Sequence, residues 1–568
     1  MKKNWFLRIY MLFCGSMLAT SLFAQGLLIE KKDGSTIKVP YELLERVTVY
    51  DNDNTPQPGD AAPTDLAECV KEDVAALQQL GKANPQLGIE GNDPSAWKSL
   101  NIVWEKNEAG LYAVSAIEIK AESKLENLAL HFDAKKDAMV FGALKEIKIA
   151  NAGVKELVVV DQPALEKVSL NGLDAAPIAA VNVQGGMALQ HIAIENLPQA
   201  TSVFIGGDSL LTVTLNNLPS LQEQSMLSFR RLYTEDNIKD TRIEKLTLKG
   251  NFNKLNGLYL SDLGLKELAL ETTLPEATGI SLNKNQLTGE LNLKGFGKLA
   301  NLNIRNNQLT GISISECPML KEFDASTNKQ LSNLVLDLPN LTYLDANESS
   351  LTALDITHLK SLKNLSVSNS KLATLTFNGT NAALERINLS NNQLTSFTLP
   401  AEVTDPYQIY LNNNRLKTLD LKYAAKLEDL YISDNNLESF VMPDETEKLA
   451  TLECGGNHLT ATFLRNVEAN YTEISSLLAA PQTMLSRTDA AKRQVDASEE
   501  VNLGMEPYVV KWNGNNWEEI EIGHKDGIFT LPADGTYRVI CTEDIFSNFL
   551  KNLEFSFDDP YLIGEIKQ

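Results

Sequence analysis

Residues 384–394 read LERINLSNNQL, and the architecture of the protein follows from this stretch. Aliphatic residues stand at its first, fourth, sixth and eleventh positions, and an asparagine stands at the ninth. The pattern L-x-x-L-x-L-x-x-N-x-L returns every 21 or 22 residues from Leu255 to Leu459. Large aliphatic residues make up only about a quarter to a third of average sequences, so this alignment is not accidental. The ten units begin at Leu255, Ala277, Leu299, Leu320, Leu341, Leu362, Leu384, Pro406, Leu427 and Leu449.

A repeat of this length predicts a solenoid in which each unit places a short strand beside the strand of the next. The aliphatic residues point inward, because one unit alone cannot bury its apolar face. The asparagine falls where the chain leaves the strand, and its amide is expected to hydrogen-bond backbone groups that stacking buries. This structural role is favoured over contact with a ligand. Seven units carry the asparagine, at Asn285, Asn307, Asn328, Asn392, Asn414, Asn435 and Asn457, and Ser349 and Ser370 replace it in two adjacent units.

A second apolar triplet follows about ten residues later in each unit, as in Leu351, Leu354 and Ile356. A unit of 21 residues has no room for a long helix, so this half is predicted to form the opposite wall as a short strand or an extended turn. Before Leu255 the triplets continue at spacings near 10 to 13 residues, and the sequence leaves open which series faces the concave side. The solenoid is predicted to span residues 114–464, with residues 230–242 as an inserted surface loop.

These units resemble the leucine-rich repeats of bacterial internalin-like proteins more than the longer, helix-backed repeats of ribonuclease inhibitor. The predicted fold class is therefore a β-rich α/β solenoid of leucine-rich repeats with 21–22 residues per unit. The resemblance implies an exported protein without enzymatic activity. It also implies that the concave face recognises a protein partner, such as a host or cell-surface molecule.

Residues 1–24 have the composition of a signal peptide, with three basic residues, an apolar stretch and Ala24 before the expected cleavage point. The apolar stretch is shorter than the ~20 residues that a membrane span needs, so export is favoured over an anchor. Cys14 follows the bulky Phe13, which disfavours lipid attachment at that cysteine. The expected location is outside the cell or on the outer surface of a Gram-negative bacterium, with the periplasm as an alternative.

Two short segments follow the predicted signal peptide. Residues 25–50 alternate around Asp33-Gly34 like a β-hairpin, and they resemble a segment found at the start of exported proteins of Gram-negative bacteria. Residues 51–65 are rich in proline, aspartate and asparagine, which is typical of a linker. Asp51 and Asp53 lack the glycine turn and the downstream glutamate of a calcium-binding loop, so a solvated linker is favoured.

The predicted solenoid is flanked by two further segments. Residues 66–113 begin with apolar residues at helical spacing and contain Trp97 and Trp104, which resembles a helical N-terminal cap over the first open turn. Residues 465–568 contain the alternating stretches YVVKW, WEEIEIG, GIFTLP, GTYRVIC and LEFSF, which predict a C-terminal β-sandwich. Residues 534–537 resemble the tyrosine corner of immunoglobulin-like domains, although Cys541 follows Tyr537 by four residues rather than two.

Charge and motifs exclude several functions. The chain carries a net charge of −23, and removal of three basic and no acidic residues with the signal peptide makes it −26. Such a protein does not attract nucleic acid or an anionic membrane electrostatically. Hydrolase, metalloprotease and phosphate-binding motifs are absent from the sequence, and its five histidines are scattered. Four cysteines remain after cleavage, without metal-ligand spacing, and they are expected to be free thiols. No enzyme, metal or cofactor is therefore expected.

The outward strand positions are the predicted binding surface. One column contains the residue after the central aliphatic of each unit, and further polar residues lie two positions to either side. Tyr and Arg anchor protein interfaces best, because they are large and still hydrogen-bond. With strands about 4.8 Å apart, ten units span roughly 45 Å, enough for an interface of about 800 Å² per partner. The candidate partner-binding residues are Tyr259, Arg305, Tyr343, Asp345, Arg386, Tyr410, Asp429 and Tyr431.

Two function classes remain open at this point: a binding protein for a protein partner, and a carbohydrate-binding or structural protein of the cell envelope. In the second class, the four tyrosines stack on sugar rings and are expected to form one patch. Tyr410 and Tyr431 are on neighbouring units, whereas Tyr259 and Tyr343 are remote, which favours a protein partner. Asp324 and Asp345 would lie on neighbouring strands, but solvated surface acids are favoured over a catalytic pair.

Overall fold

The structure is a computed structural model that divides the chain into two compact units, residues 1–61 and 62–568. It describes the backbone of residues 9–11, 26–30 and 36–40 in the first unit. In the second unit it describes residues 62–97, 100–120, 126–134, 140–150, 153–172, 178–185, 188–222, 227–229, 241–443, 448–471, 473–541 and 561–567.

The first unit contains a three-stranded antiparallel sheet formed by Ile9–Met11, Gly26–Glu30 and Thr36–Pro40. Leu27 pairs with Val39 and Ile29 pairs with Ile37, which gives the two later strands the arrangement of a hairpin. Its turn, the linker at 51–61, Cys14 and the expected cleavage point lie outside the described residues. Signal-peptide cleavage therefore stays a prediction.

Most of the second unit is a solenoid in which strands alternate along the chain between two walls. The first wall begins with a five-stranded parallel sheet and continues as an eleven-stranded parallel sheet. The five strands are Glu126–Asp133, Gly153–Val160, Ala180–Gln184, Ser202–Gly206 and Leu227–Ser228. The eleven are Gly257–Tyr259, Gly279–Ser281, Asn301–Asn303, Glu322–Asp324, Tyr343–Asp345, Asn364–Ser366, Arg386–Asn388, Gln408–Tyr410, Asp429–Tyr431, Thr451–Glu453 and Ser476–Leu478.

The second wall begins as an eight-stranded sheet and breaks into short sheets after residue 271. The eight strands are Leu100–Lys106, Tyr112–Lys120, Glu146–Ala150, Lys167–Asn171, His191–Glu195, Leu210–Asn216, Ile243–Lys249 and Glu267–Glu271. The later strands are Thr288–Lys294, Gln308–Ser315, Asn333–Leu336, Ala353–Asp355, Thr374–Thr376, Ser396–Thr398 and Thr418–Asp420. This confirms the prediction of an extended second wall, and it assigns the closely spaced triplets before Leu255 to the two walls.

Each of the ten predicted units supplies one strand of the eleven-stranded sheet, with its central aliphatic residue inside. Leu344, Leu365 and Ile387 are paired in register and are at most 2% exposed. The eleventh strand, Ser476–Leu478, lies beyond residue 464, where the sequence predicts that the solenoid ends. A helix in place of a second-wall strand, α2 (Ala461–Asn470), hides this last turn from the repeat pattern.

The buried asparagine amides form a hydrogen-bond ladder by bonding backbone groups of their own and the preceding turn, as predicted, in two runs, Asn285 to Asn328 and Asn392 to Asn457, on either side of the two serine units. Asn435 is typical: its NH₂ group donates to the carbonyls of Leu411 and Ile432, both at 3.0 Å, and its oxygen accepts the N–H of Leu416 at 3.0 Å. Each amide thus joins its own turn to the preceding one. The other members make equivalent bonds, and they are Asn285, Asn307, Asn328, Asn392, Asn414 and Asn457.

The serine units and the last turn vary this arrangement. The hydroxyls of Ser349 and Ser370 lie 2.9 Å apart, and Ser370 accepts the N–H of Ser349, so the serines mainly bond each other. Gln482 closes the ladder: its NH₂ group donates to Cys454 and its side-chain oxygen accepts the N–H of Leu459 at 2.9 Å.

The residue before each ladder position has a left-handed backbone conformation. The φ angles are +57° at Asn391, +56° at Asn413 and +57° at Asp434. Asparagine, aspartate and glycine tolerate this conformation best, which explains the pairs Asn391-Asn392 and Asn413-Asn414. One residue turns the chain out of the strand, and the next bonds the turns together.

Replacement of Asn435 by alanine tests the ladder, and the adjacent Asn436 supplies a matched control. The carbonyls of Leu411 and Ile432 each keep a second donor, from Asn414 and Asn457, whereas the N–H of Leu416 loses its partner. We therefore expect the buried Asn435→Ala change to lower the free energy of unfolding by about 1 to 3 kcal/mol. Asn436 is exposed, and its replacement by alanine is expected to change stability by at most about 0.5 kcal/mol. Equal losses in denaturant titrations would contradict the assignment.

The N-terminal segment of the second unit combines helices with a strand. It comprises α1 (Lys71–Ala83), the 3₁₀ turns Leu66–Glu68, Pro85–Leu87 and Pro94–Ala96, and the strand Leu100–Lys106, which pairs antiparallel with Tyr112–Lys120. The sequence predicts only a helix and tryptophans here, whereas the strand occupies the first edge of the eight-stranded sheet. Trp97 and Trp104 are buried, and Asn84 exchanges two hydrogen bonds of 2.9 Å with the backbone of Ala129.

The C-terminal part contains a five-stranded and a four-stranded sheet. The first has the order Gln482–Thr483, Tyr561–Ile566, Tyr537–Cys541, Tyr508–Trp512 and Trp517–Ile520. The second has the order Thr488–Asp489, Gln494–Asp496, Ile528–Thr530 and His524–Lys525. The Tyr537 hydroxyl donates to the side chain of Asp534 at 2.6 Å, three residues upstream. The predicted strand at 553–557 and most of the insertion at 230–242 lie outside the described residues.

A buried ion pair lies within this C-terminal part, beside a contact to the end of the solenoid. Arg487 donates to both carboxylate oxygens of Glu500, at 2.7 and 2.8 Å, and also contacts Glu499. Glu500 is fully buried, and this burial raises its pKa. Glu499, from the short helix α3 (Ser498–Asn502), accepts the N–H of Thr462 in the first turn of α2 at 3.1 Å. The solenoid and the C-terminal sheets are thereby joined by direct contacts.

Replacement of Arg487 by methionine is expected to lower the free energy of unfolding by about 3 to 5 kcal/mol, because Glu500 loses its counter-charge inside the protein. The double variant with Glu500→Gln is expected to recover part of this loss. Lys492 pairs with Asp489 at the surface, so Lys492→Met is the control and should stay within about 0.5 kcal/mol. Thermal melts of the three variants measure the difference, and a neutral Arg487→Met result would contradict the role of the pair.

Candidate partner-binding surface

The strand register aligns the predicted outward residues into one column on the eleven-stranded sheet. Each member lies opposite the next in the neighbouring parallel strand, without a register shift. The column runs Tyr259, Ser281, Asn303, Asp324, Asp345, Ser366, Asn388, Tyr410, Tyr431 and Glu453. Except for Tyr259, which is exposed, these side chains are half-buried by their neighbours along the column.

Three neighbouring strands bring together four of the predicted site residues, Arg386, Tyr410, Asp429 and Tyr431. The rings of Tyr410 and Tyr431 stack with their centroids 4.5 Å apart and their planes 6° from parallel. The spacing is close to the distance of about 4.8 Å between adjacent strands, so the sheet itself holds the two rings face to face. These four residues and Tyr407 are named the tyrosine cluster below.

Two residues of this region were not predicted. Gln408 donates its NH₂ group to the carboxylate of Asp429 at 2.8 Å. The guanidinium carbon of Arg386 lies 5.2 Å from the ring centroid of Tyr407, which is a cation–π contact. Tyr407 directly precedes the strand Gln408–Tyr410 and therefore falls outside the alternating outward positions. Its place in the sequence, one residue before a strand that carries the predicted Tyr410, is the feature that could have identified it.

The tyrosine hydroxyls of the cluster are held in the neutral form. Burial raises the pKa of Tyr410 and of Tyr431, and the negative charge of Asp429 raises both further. Both hydroxyls therefore remain O–H groups at neutral pH, able to donate and to accept hydrogen bonds at an interface.

Tyr343 and Asp345 form a second group at the middle of the sheet. The Tyr343 hydroxyl lies 3.4 Å from Asp345, whose other carboxylate oxygen accepts the N–H of Asn347 at 3.0 Å. Burial raises the pKa of Asp345, and the facing Asp324 raises it further. Arg305, two strands away, acts in the opposite direction. Asp324 bonds the N–H and hydroxyl of Ser326, at 2.9 and 2.6 Å.

Tyr259 stands apart from both groups. It occupies the first strand of the eleven-stranded sheet, four strands before Tyr343, and its side chain is 46% exposed. The structure therefore distributes the eight predicted residues over three places along the sheet. Four of them, Arg386, Tyr410, Asp429 and Tyr431, lie on three adjacent strands.

The rest of the described chain offers little for metal or covalent chemistry. Within the ranges that the structure describes, no group of three or more His, Cys, Asp or Glu side chains is placed to hold a metal ion. Cys69, Cys317, Cys454 and Cys541 are buried thiols. Burial raises the pKa of Cys69 to about 11 and that of Cys454 to about 12, which suppresses thiolate chemistry. Among the described helices, none has the length and apolarity needed to span a membrane.

The alternating walls, the constant register and the asparagine ladder define a leucine-rich repeat solenoid. No protein-family model matches the chain, and no curated protein sequence does. Solved structures with a similar fold include a leucine-rich repeat protein of Leptospira interrogans, which is 19% identical over 55% of this chain and 89% of its own, with a TM-score of 0.34.

Two further solved structures are of the same kind. YopM from Yersinia enterocolitica is 19% identical and covers 65% of this chain and 79% of its own, with a TM-score of 0.32. The functional domain of InlJ from Listeria monocytogenes is 18% identical and covers 57% and 85%, with a TM-score of 0.26. Similarities at this level carry no argument about function, and the fold assignment rests on the strand pairings.

Asp345 yields a prediction of pH-dependent stability. The pKa of Asp345 is raised in the folded state. Below about pH 3.9 the carboxyl is protonated in both the folded and the unfolded protein, so its ionisation does not change the stability of the fold. As the pH rises, the unfolded protein loses this proton more readily than the folded one, and the fold is destabilised. Asp345→Asn is therefore expected to raise the melting temperature at pH 7, with the gain fading at pH 3.

The exposed Asp355 provides a control of opposite sign. Hydrogen bonds from the backbone N–H and the hydroxyl of Thr357 lower the pKa of Asp355. Asp355 therefore stabilises the fold above its unfolded pKa, and Asp355→Asn is expected to lower the melting temperature at pH 7. An unchanged or lowered melting temperature for Asp345→Asn at pH 7 would contradict the account of the half-buried Asp345 carboxylate.

Proposed function

We propose that the protein is an exported binding protein without enzymatic activity, which recognises a protein partner through the concave, outward face of the eleven-stranded sheet. The signal-peptide composition of residues 1–24 supports export to the outside or the surface of a Gram-negative cell. In this proposal, the segment around α1 caps the solenoid and the C-terminal sheets form an immunoglobulin-like sandwich at its other end.

The stacked pair Tyr410–Tyr431 is the observation that carries the proposal. Aromatic and arginine side chains supply most of the energy of protein interfaces. The pair is fixed by the strand spacing and Asp429 is held by Gln408, so few rotamers have to be ordered on binding. A preorganised group of this kind fits the anchor region of an interface.

The stack also weighs against sugar binding at this place. A sugar ring packs its apolar C–H face on the open face of an aromatic ring. Tyr410 and Tyr431 cover one face of each other, and both belong to a half-buried column. With one face of each ring covered, their neutral hydroxyls suit a protein surface with hydrogen-bonding groups.

The charges on the same face predict the character of the partner. The acidic residues outnumber the basic ones, so a partner surface with exposed lysine and arginine residues is complementary. In the outward column and at the positions two residues to either side of it, the acidic residues are Glu322, Asp324, Asp345, Asp429 and Glu453, and the basic ones are Arg305 and Arg386.

The test is a parallel binding screen of the mature chain, residues 25–568, against surface proteins and glycans, followed by titration of the double variant Tyr410→Ala/Tyr431→Ala. Loss of the anchors is expected to weaken binding of the protein partner by at least about 2 kcal/mol, or about thirtyfold, with a nearly unchanged melting curve.

Tyr423→Ala is the control, because Tyr423 is an exposed tyrosine in a turn outside the eleven-stranded sheet. Its replacement should leave the affinity unchanged. A protein partner that binds wild type and double variant equally well would place the interface elsewhere, and a screen that yields only glycan ligands would contradict the proposed partner class.

A further inference from the structure

Tyr259 differs from the other tyrosines of the sheet in the surface on which its ring rests. Two glycines lie beside it: Gly257, two residues earlier on the same strand, and Gly279, which pairs with Gly257 on the next strand. A Cβ atom on Gly257 would lie 2.5 Å from the ring carbon Cε2, and a Cβ atom on Gly279 would lie 2.8 Å from the hydroxyl oxygen. The ring therefore lies down across two strands, in space that any other residue at these positions would occupy.

One face of this ring is consequently covered by backbone and the other is open. The side chain is 46% exposed, more than Tyr343, which lies on the same sheet and is 38% exposed. This arrangement is the reverse of the Tyr410–Tyr431 stack, where each ring covers the face of the other. Tyr259 thus presents a flat aromatic platform to the outside.

Polar, uncharged side chains surround the platform. Tyr259 borders a shallow cavity of about 240 Å³ whose other walls include Thr278, Ser281, Asn301 and Asn303. The side-chain oxygen of Asn303 accepts the N–H of Arg305 at 3.1 Å, so the NH₂ group of Asn303 is left to donate to a ligand. None of the residues that line this cavity carries a charge.

The size and chemistry of the cavity restrict its ligand. Sites for drug-sized molecules occupy about 300–1,000 Å³, so a cavity of 240 Å³ holds about one ring. A flat aromatic face requires an apolar ring face opposite it, and the surrounding amides and hydroxyls require hydroxyl groups at the ring edge. A charged ring would lose hydration without gaining a counter-charge.

We propose that Tyr259 and its glycine floor form a binding subsite for a neutral pyranose ring, as a single residue of an oligosaccharide. The C–H face of the sugar stacks on the open face of Tyr259, and Asn301 and Asn303 bond its hydroxyl groups. This subsite is separate from the tyrosine cluster, six to eight strands away along the sheet, and it does not depend on the function proposed for that cluster.

The test starts with the mature chain on an array of neutral and acidic oligosaccharides, followed by titration with the neutral oligosaccharide that binds most strongly. Tyr259→Ala is expected to reduce the affinity at least about tenfold, because the stacking face is lost. Tyr259→Phe keeps the face and is expected to stay within about threefold of wild type. Gly279→Val pushes the ring off the sheet and should also weaken binding, although Tyr259 itself is unchanged.

Tyr343→Ala serves as the matched control, since it removes a tyrosine from the same sheet that does not rest on glycines. It should bind the sugar as wild type does, and so should the double variant of Tyr410 and Tyr431. If Gly279→Val fails to fold, Tyr259→Ala and Tyr259→Phe still decide the question, because the exposed ring is not part of the core. Absence of any neutral ligand on the array, or equal binding by wild type and Tyr259→Ala, would overturn the proposal.

Discussion

The buried asparagine amide that follows seven strands of the eleven-stranded sheet is the directional interaction on which the proposed binding surfaces depend. Leucine side chains drive the turns together, but burial is non-directional and does not by itself fix which residues face each other. The amide is directional: it bonds one carbonyl of the preceding turn, one of its own turn and one N–H group of the preceding turn. Repeated in the two runs Asn285 to Asn328 and Asn392 to Asn457, these bonds hold the turns of each run in register, and the hydroxyls of Ser349 and Ser370 link the two units between the runs.

The proposed binding surfaces follow from that register. A slip of one residue would turn every outward side chain into the core, and a shift between turns would separate the neighbours of the column. With the register fixed, Tyr410 and Tyr431 meet face to face at the strand spacing, whereas Tyr259 meets two glycines and lies flat. The same backbone thus produces a stacked aromatic pair at one place and an open aromatic platform at another.

The repeat pattern predicted the parts of the structure that depend on periodicity. The inward position of Leu365, the ladder role of Asn435 and the adjacency of Tyr410 and Tyr431 follow from repeat phase alone. The orientation of the tyrosine rings does not, because it depends on the side chains of neighbouring turns, such as the glycines at Tyr259. The strand Ser476–Leu478 was missed because a helix replaces half of its repeat, so the 21-residue period is lost there.

Hydrogen exchange at the N–H of Leu416 tests whether the amide ladder sets the register. This N–H bonds the side-chain oxygen of Asn435 rather than a backbone carbonyl, so its protection depends directly on the ladder. The account predicts slow exchange in the wild-type protein and, in Asn435→Ala, fast exchange at Leu416 together with faster exchange in the strands 408–410 and 429–431. Slow exchange at Leu416 in both proteins would contradict it, because the turns would then hold their register without the amide.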